Sequence, residues 1–320
     1  MSTSRRFLGY FFSLALLVAT LAAIWQRQAV TDWWRLRNYN PPPAIAALAG
    51  NTAMTDNARH IFYVNHPALS ADKQDFRTSC AFSEQTIVLG CYIGGQRGIY
   101  IYDVTDPQLD GVEQVTAAHE MLHAAYERLS DDEKQQIDAQ LTEYFENELT
   151  DERIKTTIDG YRQTEPTELV NEMHSIFGTE IRSLPAGLET YYSRYFTDRS
   201  RVVSYAEAYE AVFTANKQQL DNIKKQIETT KGQLPARQQS IDAEQAALAA
   251  ERDRMNSLQA NGQIAEFNAA VGPYNARVQA LRDQIAVYNA KVKEVNELVE
   301  RYNQLALAQE NLIKAIDNRL

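Results

Sequence analysis

Residues 116–126 read TAAHEMLHAAY, with His119 and His123 four positions apart and Glu120 beside the first. On an α-helix, residues four apart project from one face, so both imidazoles reach a common point. Two imidazole nitrogens suit Zn2+, and a carboxylate next to the first ligand can aim at the fourth metal position, where a water sits. The metal lowers the pKa of that water, and the carboxylate accepts its proton as the water attacks a carbonyl. The H-E-x-x-H spacing needs a helical setting to carry this chemistry. The setting agrees: Thr116, Ala117, Ala118, Met121, Leu122, Ala124 and Ala125 are all uncharged, and neither proline nor glycine interrupts VTAAHEMLHAAYERL. A solvated helix face would carry charges here.

A catalytic zinc site also needs a third protein ligand and an open fourth position. Downstream stands LVNEMHSIFGTE, residues 169–180. HEMLH followed by NEMHSIFGT resembles the gluzincin class of zinc metallopeptidases, over about residues 115–180. In that class the second motif is Asn-Glu-x-x-Ser-Asp on a later helix, and its glutamate is the third ligand. The resemblance implies that His119, His123 and Glu172 bind one Zn2+ per chain, that Glu120 is the general base, and that the substrate is a peptide or protein. It also implies a zincin-like fold, whose sheet offers an edge strand to an extended substrate. GIYIYDV (98–104), just before the histidine helix, is the natural edge-strand candidate.

The sequence departs from the family pattern at Ile176, which stands where the class has the aspartate that orients a ligand histidine. Glu180 or a backbone carbonyl is left for that task. The same departure raises His174 as an alternative third ligand. If it is not a ligand, His174 is a candidate donor to the developing oxyanion, with Tyr161, Tyr191 and Tyr192 as rivals.

The remaining chain must position these groups. Its 320 residues carry a net charge of −10, a poor match for nucleic acid, which needs a basic surface. Residues 1–6 form a short tail. Phe7–Trp25 holds no charged residue and is about long enough to cross a hydrocarbon core as a helix. Arg5 and Arg6 precede it, and Trp25, Trp33 and Trp34 follow as an aromatic belt would. It reads as an uncleaved anchor in preference to a signal peptide cut after Ala22. That placement makes the protein a single-pass cell-membrane protein with the bulk of the chain extracytoplasmic. The only two cysteines, Cys80 and Cys91, then read as a disulfide clasping neighbouring strands.

Residues 26–51, with Pro41, Pro42 and Pro43, read as a stiff linker. Residues 52–203 read as the zincin-like domain, of class α+β. HIFYVN (60–65), TIVLGCYI (86–93) and GIYIYDV are its strands, the last two joined by a hairpin at Gly94-Gly95. Helices follow. Ser130 and Glu133 form a capping box opening one helix, with Ile137, Leu141, Tyr144 and Phe145 on one face. Thr167 caps the helix that carries Glu172.

From residue 204 to 320 apolar residues recur in heptads: Phe213, Leu220, Ile227, Leu234, Ile241, Leu248 and Met255, then Tyr274, Leu281, Tyr288, Val295 and Tyr302 with Val278, Ile285, Val292 and Val299. This predicts an antiparallel coiled-coil hairpin reversing at Asn261-Gly262, with kinks or breaks at Pro235 and Pro273. Such a hairpin suits a protein partner or self-association. Two functions from different classes compete: a metallopeptidase with a coiled-coil appendage, or a surface scaffold whose hairpin is the working part and whose zinc domain is degenerate or structural.

Overall fold

A computed structural model describes Thr20, residues 26–80 and residues 87–318. Pro42 holds the extended N-cap conformation, φ −53° and ψ 149°, and Pro43 opens a helix in its first turn, where the missing N–H has no intrahelical partner to lose. The stretch expected as a linker therefore carries two helices, α1 (Arg27–Leu36) and α2 (Pro43–Asn51), and α2 buries Ile45, Leu48 and Ala49 in the core. HIFYVN, expected as a strand, falls in α3 (Asp56–Val64). Thr55 Oγ1 accepts the Ala58 N–H, Asp56 favours the positive end of the helix, and Ala58, Ile61 and Phe62 are buried at helical spacing. Cap and period override the strand preference of its aromatic and β-branched residues.

Among the described residues the sheet has three short strands: β1 (Ala68–Ser70), β2 (Gly90–Ile93) and β3 (Gly98–Tyr102), in the order β1-β3-β2. β1 runs parallel to β3 and β2 antiparallel to it, with Gly90 opposite Ile101 and Ile93 opposite Gly98. The expected hairpin forms, and its turn needs the left-handed backbone of Gly95 (φ 72°) and Gln96 (φ 60°). GIYIYDV thus supplies the central strand and not an edge; among the described residues β1 and β2 are the edges. Helix α4 (Lys73–Ser79) lies between β1 and β2 in the chain, and Cys80 at its end is disulfide-bonded to Cys91 of β2, Cα to Cα 5.9 Å. The bridge joins a helix end to a strand, where two strands were expected.

Five α-helices follow: α5 (Val112–Glu127), α6 (Asp131–Asn147), α7 (Glu152–Thr164), α8 (Leu169–Glu180) and α9 (Ala186–Tyr192). The Ser130–Glu133 capping box opens α6 as expected. Glu168, and not Thr167, is the N-cap of α8. Helix α5 is buried nearly all round: β2, β3, α2 and α3 pack on it, and its most extensive partner is α8. The α5–α8 crossing is close because Gly178 has no side chain; a Cβ there would lie 2.4 Å from Leu122 Cδ1 and 2.7 Å from the Tyr192 ring. Gly178→Ala should therefore destabilise the unit. Overpacking costs about 1–3 kcal/mol, and better helix propensity offsets about 1 kcal/mol of it. A urea midpoint equal to or above wild type would show that the crossing has room.

With strands of three, four and five residues and long helices elsewhere, the described chain is predominantly helical, which corrects the α+β expectation. A second correction concerns the membrane. No helix among the described residues is long and apolar enough to cross one, against the expected single-pass anchor and its cell-membrane, extracytoplasmic placement. Apart from Thr20, residues 7–25, which carried that expectation, lie outside the described residues.

The chain divides into two compact units. The first runs to Ala211 and takes in the chain again from Lys314. It thus includes the first turns of α10 (Arg199–Ala260), whose Val202, Val203 and Ala206 are buried, Ala206 beyond the expected boundary at residue 203. Within this unit Lys73 Nζ donates to the Asp317 carbonyl at 2.6 Å, and the Asn318 side-chain amide donates to the Val88 carbonyl. The second unit, Val212–Ile313, is the hairpin of α10 and α11 (Ile264–Ile316). Gly262 (φ 74°) lies in the reversal. Ile223, Ile241, Leu248, Met255 and Val295 are buried along the arms, and Arg277 pairs with Glu244 across them at 2.9 Å. Both helices continue through Pro235 and Pro273, where kinks or breaks were expected.

Candidate metal centre

His119 and His123 occupy successive turns of α5, and their Nε2 atoms lie 3.0 Å apart. Glu172, in the first turn of α8, comes between them: Oε2 is 3.5 Å from His119 Nε2 and Oε1 is 3.4 Å from His123 Nε2. One ligand atom from each of the three lies within 4.8 Å of the others. The convergence follows from the helix period on α5 and from the close crossing that Gly178 permits. His123 and Glu172 are each 8% exposed. Glu172 Oε2 is buried with no hydrogen-bond donor. Two imidazoles and a carboxylate with an oxygen left unsatisfied fit a tetrahedral Zn2+ site with one open position.

Burial raises the Glu172 carboxyl, but His123, His119 and a hydrogen bond from Tyr161 outweigh it and hold the pKa below its ordinary value. It is therefore an anion at neutral pH, as a ligand must be. Glu120 is different. Burial pushes its carboxyl up to about 7, Glu172 adds to the rise, and His123 and the Tyr92 backbone oppose it. Two carboxylates in one site are thus driven apart, one a fixed anion and one poised to exchange a proton near neutrality.

Glu120 packs beneath the edge strand. A Cβ on Gly90 would lie 2.4 Å from Thr116 Cγ2 and 2.9 Å from Glu120 Cγ, so only glycine lets β2 approach α5 this closely. A cavity of about 1250 Å³ opens over the triad, walled by β2, α5, and the C-terminal end of α7 with its following loop. A smaller one of about 400 Å³ adjoins it, sharing His119, Glu120 and Tyr161 and including Val88, Leu89 and Val115.

The rival donors separate clearly. Tyr161 lines both cavities, and its hydroxyl is one of the groups that lower the Glu172 pKa. Tyr192 donates to the His174 carbonyl at 2.7 Å, and the Tyr191 hydroxyl lies 2.9 Å from His174 Nε2 and 3.3 Å from the Tyr195 hydroxyl, so both are engaged behind the site. His174 is fully buried among Tyr126, Tyr191, Tyr192 and Tyr195 and is absent from both cavity walls. It lies outside the converging group of His119, His123 and Glu172, and burial, with His123 and His119 nearby, keeps it neutral. Glu180 accepts from Arg153 at 2.8 Å and makes no hydrogen bond to either histidine among the described residues.

Two supporting groups escaped the sequence reading. Glu127 accepts from the Tyr92 hydroxyl at 2.7 Å and from the Gly95 N–H at 3.0 Å, tying the hairpin turn to α5. It stands four residues after His123, so helical spacing alone puts it on the histidine face. Arg128, the next residue, makes two 2.9 Å bonds to Asp32, which also meets His60 at 2.8 Å and Gln96 at 3.0 Å. Burial raises the Asp32 carboxyl, but these partners together bring it below its ordinary value. Nothing local marks Asp32, whose partners come from distant parts of the chain. Compared with known proteins, the chain matches no protein-family model, no curated protein and no solved structure.

Proposed function

We propose that this protein is a zinc-dependent metallopeptidase of gluzincin type, hydrolysing peptide bonds. The observation that carries the reading is the convergence of His119, His123 and Glu172 in one cavity with the buried Glu120 beside them. Zn2+ held by the three ligands would supply a Lewis acid that lowers the pKa of a bound water and polarises the scissile carbonyl.

The chain's own groups do the rest. The β2 edge offers unpaired backbone N–H and C=O groups to an extended peptide along the cavity wall. Glu120 takes the proton of the attacking water and passes it to the leaving amine, a task suited to a carboxyl titrating near 7. Tyr161 shares the cavity wall with Glu172, and its hydroxyl, which burial keeps protonated, can donate to the oxyanion as charge develops.

Elemental analysis and a mixed peptide library test the proposal together. The expected result is one zinc per chain and cleavage that stops when the metal is chelated. Protein without zinc, or zinc-loaded protein inert on the library, would overturn it. Gly90→Ala probes the edge-strand contact: the added methyl displaces the Glu120 side chain, and turnover should fall at least about tenfold with zinc content unchanged. Wild-type turnover in this variant would mean that Glu120 does not depend on the contact.

A further inference from the structure

Glu120 meets β2 through backbone and not through a side chain. A Cβ on Gly90 would lie 2.9 Å from Glu120 Cγ and 3.0 Å from its Oε1, and the Tyr92 backbone opposes the rise in the Glu120 pKa. Glycine has no side chain to interlock with α5, so the contact lasts only while the strand is held against the helix. The strand is poorly equipped to stay there unaided. It is four residues long, and among the described residues it pairs with β3 along one side and with no strand on the other. Short edge strands open at the low end of a protein's local stability.

Side chains alternate along a strand. Gly90 and Tyr92 face α5, where the Tyr92 hydroxyl donates to Glu127, so Cys91 between them turns to the opposite face. There it is bonded to Cys80. Cys80 is 2% exposed, and its N–H donates to the Phe76 carbonyl at 2.8 Å. Phe76 is fully buried, its ring centre 5.6 Å from that of Tyr102 on β3. A path from the core of the sheet through α4 thus ends, covalently, on the residue between the two that meet Glu120. The Asn318 side-chain amide holds the approach to the strand at Val88, so the wall keeps a second tether when the bridge is open.

We infer that the Cys80–Cys91 disulfide is a positioning element for the reaction: it holds β2 on α5 and so keeps the Glu120 carboxylate in its catalytic orientation. The catalytic role of Glu120 rests on the peptidase reading; the hold on its side chain does not. An intact bridge is then a condition for hydrolysis but not for metal binding, because His119, His123 and Glu172 lie on α5 and α8, helices that the bridge does not join. A displacement of about 1 Å at a catalytic group is enough to cost about 10²-fold in rate.

The bridge is opened in two ways in the full-length, zinc-loaded protein: by the double variant Cys80→Ala/Cys91→Ala, and in wild type by a water-soluble phosphine. The phosphine leaves two thiols and takes the oxygen of water as its oxide. Both forms are measured well below their melting transitions. The expected result is a kcat on the peptide library lower by at least about tenfold, with zinc still at one per chain. The amides of residues 90–93 should exchange faster while those of α5 keep their wild-type rates. The side-chain carboxyl carbon resonance of Glu120, identified by its absence in Glu120→Gln, should shift, and reoxidation of the phosphine-treated protein should restore it together with kcat. A bridge that only stabilises the fold would lower the melting temperature and leave kcat and the resonance unmoved in the folded protein; that result overturns the inference. So does loss of zinc from both opened forms, which would make the bridge a support of the whole site. Should the double variant fail to fold, the phosphine-opened wild type decides. If wild type cleaves nothing, the peptidase reading falls, and the resonance and the amide exchange decide whether the bridge holds Glu120.

Discussion

Glu120→Gln should reduce peptide hydrolysis by about 10²–10⁴ while leaving zinc bound. The amide has the size and hydrogen-bonding reach of the carboxylate but cannot take a proton from water. Glu120 is not among the three converging ligand groups, so the metal site stays assembled. The substitution should also change stability in a defined direction. In metal-free protein the Glu120 carboxyl titrates at about 7, above its ordinary 4.5, because burial disfavours the charge. A raised pKa means that the folded state holds the proton more tightly than the unfolded state. That stabilisation is complete below pH 4.5 and is lost as pH rises through 7. Glutamine has no proton to lose, so the metal-free variant should gain on wild type across that interval. Wild-type turnover in Glu120→Gln would eliminate Glu120 as the base, and parallel melting curves from pH 4 to 8 would contradict the burial account.

Substituting a ligand should have the larger effect: His123→Ala or Glu172→Ala is expected to lose both zinc and detectable hydrolysis. A three-ligand site has no redundancy, and removing one group leaves a pair unable to hold the metal against a chelator. The two variants should differ when metal-free. Glu172→Ala removes the anion set between two histidines and leaves them 3.0 Å apart with no counter-charge. His123→Ala leaves a buried carboxylate with one histidine partner. Zinc measured by elemental analysis on the samples used for the library assay ties the two losses together. Stoichiometric zinc in His123→Ala would remove the basis of the metallopeptidase proposal.

The contrast among these residues shows what could be read from sequence. His119, Glu120 and His123 lie on one helix, where spacing alone dictates geometry. Glu172 lies some fifty positions on and was reachable only through its resemblance to a second motif. His174, two residues further, projects from a different side of α8, and sequence alone could not say which side faces the cavity. The choice among Tyr161, Tyr191 and Tyr192 had the same difficulty: three hydroxyls of equal chemistry, of which only Tyr161 reaches the triad. HIFYVN misled because aromatic and β-branched residues favour strands on average, whereas the Thr55 cap and the spacing of Ala58, Ile61 and Phe62 favour helix. With that segment helical, and only four residues of TIVLGCYI in β2, the sheet shrinks to three short strands. GIYIYDV was misplaced as the edge because strand order is set by pairing partners, which local composition does not encode. The Asp32 network unites residues 28, 64 and 96 positions away, beyond any window of local periodicity.

The hydrogen bond from Asn318 to Val88 spans 230 positions of chain, and the bond from Lys73 to Asp317 spans 244. Val88 forms part of the wall of both cavities. During synthesis the histidine helix, Glu172 and the edge strand leave the ribosome long before the segment that fastens this wall. The intervening hairpin must be made first, and at about 5–20 residues per second that delay is about 5–20 s. The wall of the cleft over the triad is therefore fastened last, after every residue that forms the triad has already been made.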